Sequence, residues 1–91
     1  MSAPRRWRHA PEAVVAQVGE AWLILTPDFR YVEVDAVGGA IWHALTGGAD
    51  AQSVGATLAC EFEVDAGRAE RDAEEFIGRL ADLGAVEAAV E

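Results

Sequence analysis

The chain of 91 residues carries seven arginines, no lysine and sixteen carboxylates, for a net charge of -9, and 52% of it is hydrophobic. That is enough apolar material for one small core but little for a deep catalytic cavity, since a domain of this size buries only roughly 60–65% of its unfolded surface. From Pro11 onward four arginines stand against all sixteen carboxylates, and so acidic a body repels phosphate backbones, which argues against nucleic acid as the main partner.

Cys60 is the lone cysteine, so neither a disulfide framework nor a thiolate metal cluster is available. The arginines near the start lead into no apolar run of signal-peptide length. The run Trp22-Leu-Ile-Leu25 is too short to cross a bilayer. The expectation is a soluble cytoplasmic protein with no membrane partner.

In chain order, residues 1–11 hold Pro4, Pro11, Trp7 and three arginines and read as a flexible N-terminal arm ahead of one domain over 12–91. Ala13–Val18 and Ala21–Thr26 are strand candidates, split by Gly19-Glu20, where glycine supplies the positive φ of a tight hairpin. Pro27-Asp28 signals the next turn, and Phe29–Val34 is the third strand. Three short strands with tight connections form an antiparallel meander, which needs a cover on its apolar face.

Asp35 then caps a helix over Ala36–Leu45, with Val37, Ile41 and Leu45 on its apolar face. Gly38 and Gly39 each cost this helix about 1 kcal/mol relative to alanine, which points to close packing there. Thr46-Gly47-Gly48 stops it. Asp50 caps a second helix over Ala51–Phe62, with Val54, Leu58 and Phe62 on one stripe. Asp65 caps a third over Ala66–Leu83, which buries Ala69, Ala73, Phe76, Ile77, Leu80 and Leu83, with Gly84 as C-cap residue. The remainder, Ala85–Glu91, is a short pairing segment or a frayed tail. The fold class is α+β: a three-stranded antiparallel sheet followed by three helices. The order resembles a winged helix-turn-helix domain with its strands placed first.

Catalytic chemistry is hard to assemble from these residues. His9 lies in the arm, His43 at a helix edge, and Cys60 reads as a small buried side chain. The glycine pairs lack the spacing and lysine of a phosphate loop, and two isolated histidines give no metal-ligand spacing. Glu74 and Glu75 read as a solvated helix face. No enzyme activity, cofactor or metal is expected.

A binding surface remains. On the third helix Arg68, Asp72, Glu75 and Arg79 fall beside the buried stripe. Arg68–Asp72, Arg71–Glu75 and Glu75–Arg79 are i,i+4 pairs of opposite charge. They serve either as a helix-stabilising ladder or as the wall of a groove with Phe76 at its base. The other wall would be the third strand, an edge whose unpaired N–H and C=O groups invite an added strand. If the Val32 N–H faces that groove, proline there should weaken binding with the fold retained.

The run Tyr31-Val-Glu-Val-Asp-Ala-Val-Gly-Gly-Ala-Ile-Trp42 resembles the strand-into-helix signature of the PqqD-like proteins. The likeness continues through Gly47-Gly48, Phe62-Glu-Val-Asp65 and the Asp72, Phe76, Leu80 pattern, covering about Val14 to Val86. Val34 stands for the usual leucine and Ala36 for the common proline. The resemblance implies a RiPP recognition element. Such a domain binds the leader segment of a ribosomally made precursor by strand addition and presents it to a modifying enzyme. By position, Tyr31, Val32, Glu33 and Val34 would line the edge, and Arg68, Arg71, Asp72, Glu75, Phe76 and Arg79 the helix side. The implied partners are the precursor leader and, in lasso-peptide biosynthesis, a leader peptidase. Alternatives are a peptide chaperone for a radical S-adenosylmethionine enzyme in pyrroloquinoline quinone-type biosynthesis, and a winged-helix DNA-binding regulator. The regulator would need a basic third helix, yet Ala66–Leu83 has three arginines against five carboxylates.

Overall fold

The computed structural model describes residues 5–89, in the order β1 (Arg6–His9), β2 (Val14–Val18), β3 (Ala21–Leu25), β4 (Tyr31–Val34), α1 (Ala36–Ala44), β5 (Ala49–Asp50), α2 (Ala51–Phe62), α3 (Ala66–Asp82) and β6 (Val86–Ala88). The expected meander and its three covering helices are present. Strands β2, β3 and β4 form an antiparallel sheet in that spatial order. All three aspartate caps form: Asp35 accepts from the Gly38 N–H at 2.9 Å, Asp50 from Ser53 at 2.7 Å and Asp65 from Arg68 at 3.0 Å. Each satisfies a donor that the first helical turn leaves open.

The hairpin turns set the register. Gly19 takes φ 63° in the first central position of the two-residue β2–β3 loop, the placement a type II′ turn requires. Phe29, expected in the third strand, instead belongs to the β3–β4 turn, with φ 65°. Its N–H bonds the Thr26 carbonyl at 2.9 Å, and the Thr26 N–H bonds the Arg30 carbonyl at 2.8 Å. This is a type I turn with a left-handed third residue. Thr26 is buried. Its hydroxyl donates to Asp28 and accepts from the Arg30 N–H, so the turn's one buried polar side chain is satisfied.

Pairing alternates along an antiparallel ladder. Since Thr26 and Arg30 form a hydrogen-bonded pair, so do Ile24–Val32 and Trp22–Val34, two and four residues along the same register. The N–H groups of Val32 and Val34 therefore point to β3, while those of Tyr31 and Glu33 point off the free edge of β4. This corrects the expectation for Val32: its donor faces the sheet, not a groove.

The core joins Ile24 and Val34 of the sheet to Ile41, Trp42, Leu45, Val54, Leu58, Ala69, Ala73, Ile77 and Leu80 of the helices. The two glycines of α1 sit where close packing was expected. A Cβ on Gly38 would come within 2.7 Å of the Val34 Cβ, and one on Gly39 within 2.7 Å of Trp22 Cδ1. Phe76 and Leu83 are half-buried rather than fully buried, and Phe62 is open to solvent. Cys60, expected to be buried, is exposed.

Residues 6–9 also depart from the flexible arm expected over 1–11. They form the middle strand of a second sheet, β5-β1-β6, in which Trp7 pairs with both Ala49 and Ala88. Trp7 packs against the core. His9 stacks on Trp42 with ring centroids 3.7 Å apart, and its Nε2 lies 2.6 Å from the Trp42 carbonyl. The end of α3 supplies the partner strand. Gly84 takes φ 75° and the Ala85 N–H bonds the Leu80 carbonyl at 2.9 Å, a Schellman-type stop that turns the chain into β6. Residues 1–4 of the expected arm and 90–91 of the expected tail lie outside the described residues.

Candidate functional site

Strand β4 has one neighbour, β3. Its other edge borders a groove of about 440 Å³ lined by Glu33, Val34, Asp35, Val37, Gly38, Ile41, Asp72, Glu75, Phe76 and Arg79. Local sequence explains the shape. Asp35 ends the strand and caps α1 in the same step, so α1 follows β4 with no further linker. The missing Cβ of Gly38 lets α1 lie on Val34 and brings the Phe76 ring of α3 to the same point, 3.1 Å from where that Cβ would stand. Val37, first residue of the expected apolar stripe of α1, is 38% exposed because it faces this opening rather than the core.

Six of the ten residues expected at the site therefore meet: Glu33, Val34, Asp72, Glu75, Phe76 and Arg79. Four do not line the groove. Val32 turns its side chain to the core, and Tyr31, 71% exposed, alternates to the outer sheet face. Arg68 and Arg71 lie on the turns of α3 before the groove begins. Asp35, Val37, Gly38 and Ile41 were not among the expected residues. Their signal was the strand-into-helix run itself, which places the first turn of α1 beside the strand edge.

The groove has an apolar floor of Val34, Val37, Ile41 and Phe76, with four carboxylates and one guanidinium around it. Arg79 lies 5.9 Å over the Phe76 ring, within cation–π range. Of the three expected i,i+4 pairs on α3, Arg68–Asp72 alone closes, at 3.9 Å between exposed groups. That spacing is worth little stability. The charges of Glu75 and Arg79 are thus not spent on each other, and they border the groove. Among the described residues no cluster of three His, Cys, Asp or Glu side chains could hold a metal ion.

A family model for coenzyme PQQ synthesis protein D (PqqD) matches residues 21–86. The chain belongs to the PqqD family. The match begins at β3 and ends at the start of β6, so it spans the β4 edge, α1 and α3 and leaves out β1. No curated protein sequence matches significantly. Two solved structures are similar over nearly the whole length. One is a chain of TbiB1 in complex with the TbiA(beta) leader peptide. It has 26% identity and a TM-score of 0.78, over 92% of this chain and 99% of the other. The second is a chain of lasso peptide synthetase B1 complexed with the leader peptide, at 27% identity and a TM-score of 0.76, over 89% and 96%.

Proposed function

We propose that this PqqD-family protein is a non-catalytic adaptor in lasso-peptide biosynthesis. It binds the leader segment of a ribosomally made precursor as an added strand on β4 and presents the precursor to a leader peptidase. The observation that carries this reading is the free edge of β4 beside the groove against α3, in a chain whose fold is shared with two leader-bound proteins. Main-chain bonds from Tyr31 and Glu33 supply affinity, and the groove floor with Asp72, Glu75 and Arg79 supplies selectivity among leaders. The backbone role of Tyr31 and Glu33 agrees with an edge read through its main chain, whereas the main-chain donors of Val32 and Val34 hold the strand in the sheet.

The reading needs no cofactor. No helix among the described residues is long and apolar enough to cross a membrane, and we assign the protein to the cytoplasm, where precursor peptides are made. A second reading is favoured by the family description: a peptide chaperone for a radical S-adenosylmethionine enzyme in pyrroloquinoline quinone-type biosynthesis. The same groove serves both, and the peptide decides between them.

The test is a binding titration against three ligands: a lasso-type leader, a pyrroloquinoline quinone-type precursor and duplex DNA. The expected result is tight binding of the lasso leader, insensitive to added salt, with no DNA retention. A steeply salt-dependent DNA complex without peptide binding would overturn the adaptor reading in favour of a regulator.

A further inference from the structure

On the other side of α1 lies a second, larger cleft of about 850 Å³ between the β2–β3 turn, α1 and α2. It shares no lining residue with the β4–α3 groove. Its floor is the alanine side of α1, where Ala36, Ala40 and Ala44 recur one turn apart and leave space that larger side chains would fill. Trp22 and Phe62 are its aromatic members, and Glu20, Glu61 and His43 its titratable ones.

The indole is fixed in advance. Gly39 gives one face of it room against the backbone of α1, and the Trp22 and His43 rings stand at 80° to each other with centroids 4.9 Å apart. Phe62 leaves 36% of its surface open at the cleft. No lysine or arginine lines the cleft, so no permanent cation within it neutralises the two carboxylates. A held aromatic face with carboxylates nearby suits a planar cation. Arginine fits better than lysine, because its guanidinium stacks on the ring while its N–H fork reaches carboxylates in the ring's surroundings. The alanine floor and Phe62 offer apolar surface for the side chain's methylene stem, and the charge of -9 draws a basic partner in.

We propose that this cleft takes an arginine side chain from a second polypeptide, with the guanidinium over Trp22 and its donors on Glu20 and Glu61. This inference does not rest on the leader-binding reading. It requires binding while the β4–α3 groove is empty.

The experiment is an NMR titration of the labelled full chain with acetyl-Gly-Arg-Gly-amide, and with its glutamate counterpart, at fixed ionic strength. The expected result is shifts at the Trp22 indole N–H, Ala40, His43, Thr57 and Glu61 with the arginine peptide alone. The double variant Glu20→Gln/Glu61→Gln should weaken that binding about tenfold, as the loss of two solvent-facing charge contacts implies. Glu70→Gln/Glu74→Gln removes the same charge elsewhere and should change affinity by about twofold at most. Equal weakening by both double variants would reveal general attraction to an acidic body and overturn the proposal. Shifts centred on the β4–α3 groove instead of this cleft would do the same.

Discussion

Val34 lies directly against Gly38: a Cβ on the glycine would stand 2.7 Å from the Val34 Cβ and 3.1 Å from Phe76 Cζ. Strand, first helix and last helix therefore touch at one point, and that point is the floor of the groove. Alanine favours helices over glycine by about 1 kcal/mol, yet a contact that short forces α1 off β4 at a cost of about 1–3 kcal/mol. Gly38→Ala should therefore lower stability in urea melts and weaken leader binding. Gly39→Ala, which meets Trp22 instead, should lower stability with leader affinity kept. Gly78→Ala, on α3 with nothing within 4 Å of its Cβ position, should raise stability by about 1 kcal/mol.

The register of β4 makes two neighbouring proline variants behave differently. Glu33→Pro removes a donor from the free edge, where proline is tolerated, so the protein should fold and lose leader affinity. Val32→Pro removes a donor from the β3–β4 ladder and should destabilise the fold itself. Circular dichroism melts and leader titrations on the pair separate the two effects. Equal leader affinity in folded Glu33→Pro and the unaltered protein would count against strand addition.

His9 anchors the second sheet through its stack on Trp42 and its bond to the Trp42 carbonyl. His9→Ala removes both and should cost about 1–2 kcal/mol, with faster amide exchange across β1 and β6. Arg8–Glu87 joins the same two strands at 3.0 Å, but both side chains are about half exposed. Glu87→Ala should change stability by less than about 0.5 kcal/mol.

Asp50 makes its own cap depend on pH. Its carboxylate accepts the Ser53 N–H, which holds its pKa below the usual 3.8. A depressed folded-state pKa gives stability that is fully present above the unfolded value and is lost as pH falls through the folded one. Asp50→Asn should keep the cap and flatten stability against pH below about pH 4. Asp50→Ala should cost about 1 kcal/mol at neutral pH. Both are read from urea midpoints across a pH series.

The meander, the helices and their caps were legible because each has a local cause: Gly19 and Pro27 in turns, aspartates at three helix starts, and a helical repeat of apolar residues. Strand β1 was not, although Trp7 and His9 alternate with Arg6 and Arg8 as a strand requires. Its charge and prolines suggested an arm, and its partners β5 and β6 lie far along the chain. The candidate site was half legible. Arg68 and Arg79 share a helix face, but eleven residues separate them by about 16 Å along the axis, and the groove occupies only the later turns. Which β4 donors face outward was fixed by the Thr26–Arg30 closure of the turn, a detail of register that residue types alone do not carry. Cys60 was misplaced because α2 turns a narrower face to the core than its composition suggests.

The most direct test of strand addition is amide hydrogen exchange by NMR, with and without bound leader. The account predicts that the Tyr31 and Glu33 amides, open on the free edge, become protected when the leader binds. Val32 and Val34, already bonded to β3, should change little. Protection confined to α3, with Tyr31 and Glu33 still exchanging freely in a saturated complex, would contradict it.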